Sequence, residues 1–274
     1  MTATTSSFIP GTVRMLVTFL KHHPQFDGPL IIVSESLSRE ERRTLEAISP
    51  RVVLREIGED LKERIAAVTA ALPALYPTRG RFYSIEALRP DGFDELLFVD
   101  SDILFIGSVA DIFGRNADCC GVADGCHLRG FGRHPDTFAE VARGRGILSD
   151  TFNAGLMLFG PGALTGTDFD AVLERLSPAW FEGLRCGLHD QSLYNRQFAG
   201  RTLLLDSRFN FLLRHRALLL PGVKLGEVKA LHFNVSPKPW HASIEAAPYA
   251  GDPLLAWAWK QWNSDVAPGI GTIA

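Results

Sequence analysis

Along the first third of the chain, short apolar runs alternate with stretches whose apolar residues recur at helical spacing. That is the pattern of strands and crossover helices in a largely parallel sheet. Met1 to Ser6 is a short, threonine-rich β-like run, and Pro10-Gly11 opens a helix with Val13, Leu16, Val17 and Leu20 on one face. Leu30 to Val33 reads as a buried strand. Ser38, with Glu41 three residues on, forms a capping box for a helix that carries Leu45 and Ile48. Arg51 to Ile57 is a third strand, and Glu59 to Leu72 a helix that stops before Pro73.

A helical stretch from Phe82 to Leu88 and a Pro90-Asp91-Gly92 turn lead to a central strand, Leu96 to Val99. Cys119 to Ala123, Phe152 to Phe159, Thr202 to Leu205 and Val228 to Phe233 continue the strand series. Gly125 to Gly146, rich in Gly, Arg and His, reads as a loop with one short helix. No linker or internal repeat interrupts the series, so the pattern predicts one α/β domain and a C-terminal appendage.

Composition narrows this picture by exclusion. The 274 residues, 46% hydrophobic and 22% charged, are ordinary globular usage, which excludes disordered, collagen-like and disulfide-scaffold classes. With 28 Lys+Arg against 31 Asp+Glu, the net charge of −3 lacks the basic footprint of a nucleic-acid binder. Cys119, Cys120, Cys126 and Cys186 suggest no disulfide framework, and a zinc site from Cys119, Cys120, Cys126 and His127 lacks CxxC spacing. These cysteines fit a reducing, cytoplasmic setting. No apolar run approaches the ~20 residues of a membrane span, and no signal peptide is visible. Trp257, Trp259 and Trp262 beside Lys260 read as a helix packed on the domain, with peripheral contact at the inner face of a membrane as the alternative.

Candidate chemistry begins with two D-x-D pairs. With 17 aspartates in the chain, chance alone supplies about one such pair, so context must separate them. Asp168 and Asp170 follow Gly166-Thr167, where a helix N-terminus favours acidic residues against its dipole. Asp100 and Asp102 instead end a buried strand, at the edge where open α/β sheets bind ligands. Residues i and i+2 of an extended segment point the same way, so two carboxylates can face one hard cation that substrate phosphates complete.

At these residues the chain resembles a known family. Leu97-Phe98-Val99-Asp100-Ser101-Asp102-Ile103-Leu104 is similar to the "YLDxDil" strand of glycosyltransferase family 8, the retaining nucleotide-sugar transferases that include glycogenin-like and lipopolysaccharide galactosyltransferase-like enzymes. Thr4 to Gly11 looks like its first strand and uracil-holding turn, with Phe8 where an aromatic stacks on the base. Phe152-Asn153-Ala154-Gly155 looks like "FNxG", Asp190-Gln191 like the "DQ" pair, and His232 to Trp240 like "HFxGxxKPW".

The resemblance implies a GT-A fold, Rossmann-like with a mixed, mostly parallel sheet, over residues 1–240, leaving 241–274 as the helical appendage. It implies Mn²⁺, with Mg²⁺ as the alternative, held by Asp100, Asp102 and His232. Thr4, Thr5, Phe8, Arg81, Ser101, Asn153, Ala154, Asp190, Gln191 and Lys238 would bind a UDP-sugar donor, with Asp190 and Gln191 also at the reacting centre. The acceptor would be a carbohydrate or another hydroxyl compound. Asp124, which ends the Cys119 to Ala123 run, is read as an ordinary strand-end carboxylate, with contact to the sugar or acceptor as the alternative.

Two departures stand out. Val235 replaces the motif glycine, where a β-branched side chain would alter the approach to the phosphates or the loop's φ. Ser84 stands where relatives carry Lys or Arg, and Arg81 lies one turn earlier. These keep a catalytically silent sugar-nucleotide binder as an alternative. A sugar nucleotidyltransferase wants a Gly-rich basic loop after the first strand, whereas Thr4 to Gly11 has one Gly and no Lys or Arg.

Overall fold

The computed structural model describes residues 1–125, 151–182, 189–243, 245 and 251–264. The predicted loop from Gly125 to Gly146 lies almost entirely outside them. In chain order the strands are β1 (Thr2–Ala3), β2 (Leu30–Ser34), β3 (Val52–Glu56), β4 (Leu96–Val99), β5 (Ile103–Phe105), β6 (Cys119–Ala123), β7 (Phe152–Phe159), β8 (Thr202–Leu205), β9 (Phe211–Leu212) and β10 (Ala230–His232). The helices are α1 (Ile9–His22), α2 (Arg39–Glu46), α3 (Glu59–Ala71), α4 (Thr167–Arg175), α5 (Pro178–Glu182), α6 (His189–Gln197), α7 (Arg216–Leu219) and α8 (Pro253–Ser264).

Strands β1, β2 and β3 pair in parallel. The Met1 ammonium donates to the Leu97 carbonyl at 2.6 Å, and the Val99 amide to the Met1 carbonyl at 3.0 Å, which sets β1 beside β4. The chain thus winds outward from β1 to β3 and returns to the other side of β1. A reversal of this kind is the point, beyond the carboxyl ends of β1 and β4, where open sheets hold ligands. Beyond β4 the pairing is mixed: β7 runs antiparallel to both β4 and β6, while β8 is parallel to β6.

Alternation along β4 supplies the two faces. Leu97 and Val99 pack with Leu16 and Phe19 of α1, while Leu96 and Phe98 pack with Leu61 of α3 and Tyr194 of α6. The capping box forms as predicted: the Glu41 amide donates to Ser38 Oγ at 3.2 Å and the Ser38 amide to Glu41 Oε2 at 2.7 Å. Adjacent Cys119 and Cys120 of β6 belong to opposite cores and are free thiols; Cys126 and His127 of the zinc reading lie outside the described residues.

Three local differences have physical causes. Residues Pro73–Leu88 form a run of 3₁₀ turns rather than a regular helix at 82–88. Pro77 lacks an amide donor, and the Thr78 and Ser84 hydroxyls each donate to the carbonyl three residues back. The first strand is shorter than Met1 to Ser6, because the chain turns into a 3₁₀ segment at Ser6–Phe8. Short β5 and β9 carry no pattern long enough to read, yet they flank β10.

The aromatic C-terminal stretch is core. Trp259 and Trp262 of α8 are buried, each about 5 Å from the Phe233 ring, so they form no lipid-facing stripe. Among the described residues no helix is long and apolar enough to cross a membrane.

Candidate metal centre and donor site

Asp100 and Asp102 occupy the turn between β4 and β5. The antiparallel register of β10 places His232 opposite Ile103, and the Phe233 amide donates to the Asp102 carbonyl at 2.9 Å. Two distant segments are thereby clamped at one point. His232 Nε2 lies 3.2 Å from Asp102 Oδ1 and 3.8 Å from Asp100 Oδ2, and one ligand atom from each of the three residues falls within 4.8 Å of the others. Two carboxylate oxygens and one imidazole suit a divalent ion such as Mn²⁺, and the imidazole disfavours a site built for Mg²⁺.

Lys238 closes the group, donating to Asp102 Oδ2 and to the Phe233 carbonyl, each at 2.6 Å. Burial alone would raise the Asp102 carboxyl, but His232 and Lys238 outweigh it and hold Asp102 well below the usual carboxylate range. Burial and the neighbouring Asp102 charge push Asp100 the other way, above that range, and the Asp190 charge adds to the rise. Arg81, exposed at the surface, opposes it electrostatically. Ser84 faces the core instead, donating to the Arg81 carbonyl and accepting from the Tyr194 hydroxyl.

On the β1 side, Thr4 and Ser101 are buried and both meet the Thr12 hydroxyl, at 2.7 and 2.8 Å. Ser101 also donates to the Ala3 carbonyl at 2.7 Å, so toward a ligand Thr4 and Ser101 offer backbone. Thr5 stays half-buried. Phe8 packs edge-on against Trp240 at 5.4 Å, and Trp240 Nε1 donates to the Ser7 carbonyl, which ties the motif around Lys238 to the β1 turn. No non-glycine residue among the described ones has positive φ, and Val235 packs against the α8 cluster, so its side chain is accommodated without backbone strain.

On the β7 side an unbroken set of hydrogen bonds runs inward from the metal centre. His232 Nδ1 meets Asn210 Oδ1 at 3.0 Å, and Asn210 Nδ2 donates to Asn153 Oδ1 at 3.0 Å. Asn153 Nδ2 donates to Gln191 Oε1 at 3.1 Å, and Gln191 Nε2 to Asp124 Oδ2 at 2.9 Å. The Ala154 amide also donates to Gln191 Oε1, and Thr151 Oγ1 to Asp124 Oδ1. Asp124 is therefore more than a strand-end carboxylate: it holds Gln191. Sequence reasoning missed Asn210, a lone polar residue between Phe209 and Phe211 in no recognised motif.

The sequence profile described as "Glycosyl transferase family 8" matches residues 1–243. The chain belongs to this glycosyltransferase family. Among solved structures, the galactosyltransferase LgtC in complex with donor and acceptor sugar analogs superposes with a TM-score of 0.70. Identity is 16%, covering 98% of this chain and 96% of that one. Mouse xyloside xylosyltransferase 1 superposes at 0.58 with 17% identity, covering 85% and 96%. GlyE of Streptococcus pneumoniae superposes at 0.62 with 15% identity, covering 94% of this chain and 58% of that one. The fold is GT-A. Among curated proteins, none matches the chain significantly.

Proposed function

We propose that this family 8 glycosyltransferase moves a hexosyl group from a UDP-sugar to a hydroxyl of a carbohydrate or other acceptor, with retention at the anomeric carbon. The observation that carries the reading is the Asp100, Asp102 and His232 donor set beyond the carboxyl end of β4. These residues would hold Mn²⁺, with Mg²⁺ second. Such an ion, when bound, neutralises charge on a leaving diphosphate. The solved LgtC complex with donor and acceptor sugar analogs supports a nucleotide-sugar and carbohydrate pair of partners.

In this reading the bond from the anomeric carbon to the diphosphate oxygen breaks and the acceptor oxygen takes its place with the configuration kept, either by front-face substitution or by double displacement. The acceptor proton passes to the departing diphosphate. Lys238 and Arg81 attract the phosphates, and preorganised charge of this kind stabilises the negative charge that develops there. Thr4, Thr5, Phe8 and Ser101 line the nucleoside end. Asn153 and Ala154 define the sugar side, held by Gln191, and Asp190 supplies negative charge toward the anomeric centre. The buried thiols of Cys119 and Cys120 fit work in a reducing compartment such as the cytoplasm.

The test is UDP release from a panel of UDP-sugars with Mn²⁺ and candidate acceptors, for the native chain and for Asp102→Asn. The reading expects turnover that Asp102→Asn abolishes. Equal turnover by both would sink the metal centre, and Mn²⁺-dependent UDP binding without any turnover would point to a silent binder.

A further inference from the structure

We propose that Asn210 is a positioning residue for the metal centre: it sets which nitrogen of His232 carries the proton, and so keeps Nε2 available as a ligand. The inference rests on the metal reading above. An imidazole can ligate through Nε2 only if that atom presents a lone pair, and the hydrogen bond made by the other ring nitrogen decides this. Asn210 is completely buried, two residues ahead of Leu212, which β9 places opposite His232 in the parallel ladder.

The amide orientations follow from partners of fixed polarity. The Gly155 amide, which can only donate, lies 3.0 Å from Asn153 Oδ1 and makes that atom an acceptor. Asn210 must therefore turn its NH₂ toward Asn153, at 3.0 Å, which leaves its carbonyl oxygen facing His232 Nδ1 at 3.0 Å. A carbonyl oxygen can only accept, so Nδ1 bears the hydrogen. Asn153 is held in turn because the Ala154 amide and the Asp124 carboxylate fix the two ends of Gln191. Every bond from His232 to Asp124 donates in the same direction, so a buried carboxylate and two backbone amides orient the ring from the far side.

On the other side of the ring, Nε2 lies 3.2 Å from Asp102 Oδ1 and 3.8 Å from Asp100 Oδ2, acceptors that draw a proton to Nε2 when no ion is bound, so the Asn210 carbonyl is the group that holds a hydrogen on Nδ1 against them. A purely space-filling Asn210 would support the ring position but leave the tautomer free. The two roles predict different spectra.

The experiment is long-range ¹H–¹⁵N correlation of the histidine rings in the metal-free full chain, at an alkaline pH where imidazole is neutral, with His232 assigned by loss of its signals in His232→Gln. Expected is an Nδ1-protonated His232 in the native chain. Asn210→Leu should move the ring toward the Nε2-protonated form and weaken Mn²⁺ binding in calorimetry by about 10–100-fold. Asn210→Asp keeps an acceptor against Nδ1 and should retain the tautomer, although it gives up the donor to Asn153 Oδ1. An Nε2-protonated ring in the native chain, or an unchanged tautomer in Asn210→Leu, overturns the proposal. The native spectrum decides the point even if Asn210→Leu does not fold. The expected tautomers with no Mn²⁺ binding by the native chain would instead overturn the metal reading and leave the role of Asn210 in ring orientation intact.

Discussion

The Lys238 ammonium lies 2.6 Å from Asp102 Oδ2, on the carboxylate oxygen opposite the one that faces His232. In the proposed metal centre one oxygen of Asp102 would face the ion, and the other meets a fixed side-chain cation. A dication and an anionic diphosphate should respond to this lysine in opposite ways. Lys238→Ala is expected to bind Mn²⁺ at least as tightly as the native chain, since a nearby positive charge is gone, but to bind UDP with Mn²⁺ about 10-fold or more weakly. Paired calorimetric titrations check both arms; a matching loss of Mn²⁺ affinity would assign Lys238 to shaping Asp102 alone.

The raised Asp100 carboxyl makes metal binding pH-dependent in a defined direction. Burial and the Asp102 charge favour its protonated form, and an ion must displace that proton. Mn²⁺ affinity is therefore expected to start falling at a higher pH than an ordinary carboxylate dictates, by about tenfold per pH unit once Asp100 holds its proton. Each ion bound in that range should release about one proton, seen as a buffer-dependent heat. Asp100→Asn should lower the proton release and remove most of the affinity, the remaining release coming from the His232 imidazole, which must also be neutral to ligate. A flat affinity down to pH 5 would contradict the raised value.

Gly155 explains why a glycine stands in this segment of β7. A Cβ there would lie 2.3 Å from His232 Cε1 and 2.7 Å from Nδ1, so the ring needs the space that the missing side chain leaves. Gly155→Ala should fold with a loss of about 1–3 kcal/mol, and it should lose Mn²⁺ affinity because the imidazole is displaced. Thermal melts and Mn²⁺ titration measure the two effects separately. Native affinity in a folded Gly155→Ala protein would mean that His232 is not a ligand.

What was legible in the sequence follows pattern length and range. Strands β4, β6, β7 and β8 stand where the apolar runs place them, because each is a run of four or more residues bounded by turn signals. The Asp100 and Asp102 pair was legible because a buried strand ends there. His232 was legible only through the resemblance, since 130 residues separate it from Asp102 and only the β5–β10 pairing joins them. Asn210 was not legible at all: a lone asparagine between two phenylalanines carries no periodicity, and its meaning lies in a partner on β7.

The two D-x-D pairs offer the sharpest separation of structure from function. Asp168 sits in the first turn of α4 as expected of an acidic residue near a helix N-terminus, but its carboxylate is buried and faces Arg201, which donates to both oxygens at 2.8 and 2.9 Å. Arg201 also reaches Asp118 at 2.6 Å. Removing one charge from a buried pair is costly, yet Arg201 is 36% exposed and keeps Asp118, so the loss is moderated. Asp168→Asn is expected to destabilise the chain by about 1–2 kcal/mol, lowering the melting temperature by a few degrees, while Mn²⁺ affinity stays at the native level. Asp102→Asn should instead lose at least about tenfold in Mn²⁺ affinity, and it should also lower the melting temperature, because His232 and Lys238 lose the buried charge that they hold below the usual carboxylate range. Calorimetry and thermal melts on the two variants give a two-by-two comparison. A drop in Mn²⁺ affinity for Asp168→Asn that matched Asp102→Asn would mean that context at the end of β4 does not distinguish a metal ligand from a structural aspartate in this chain.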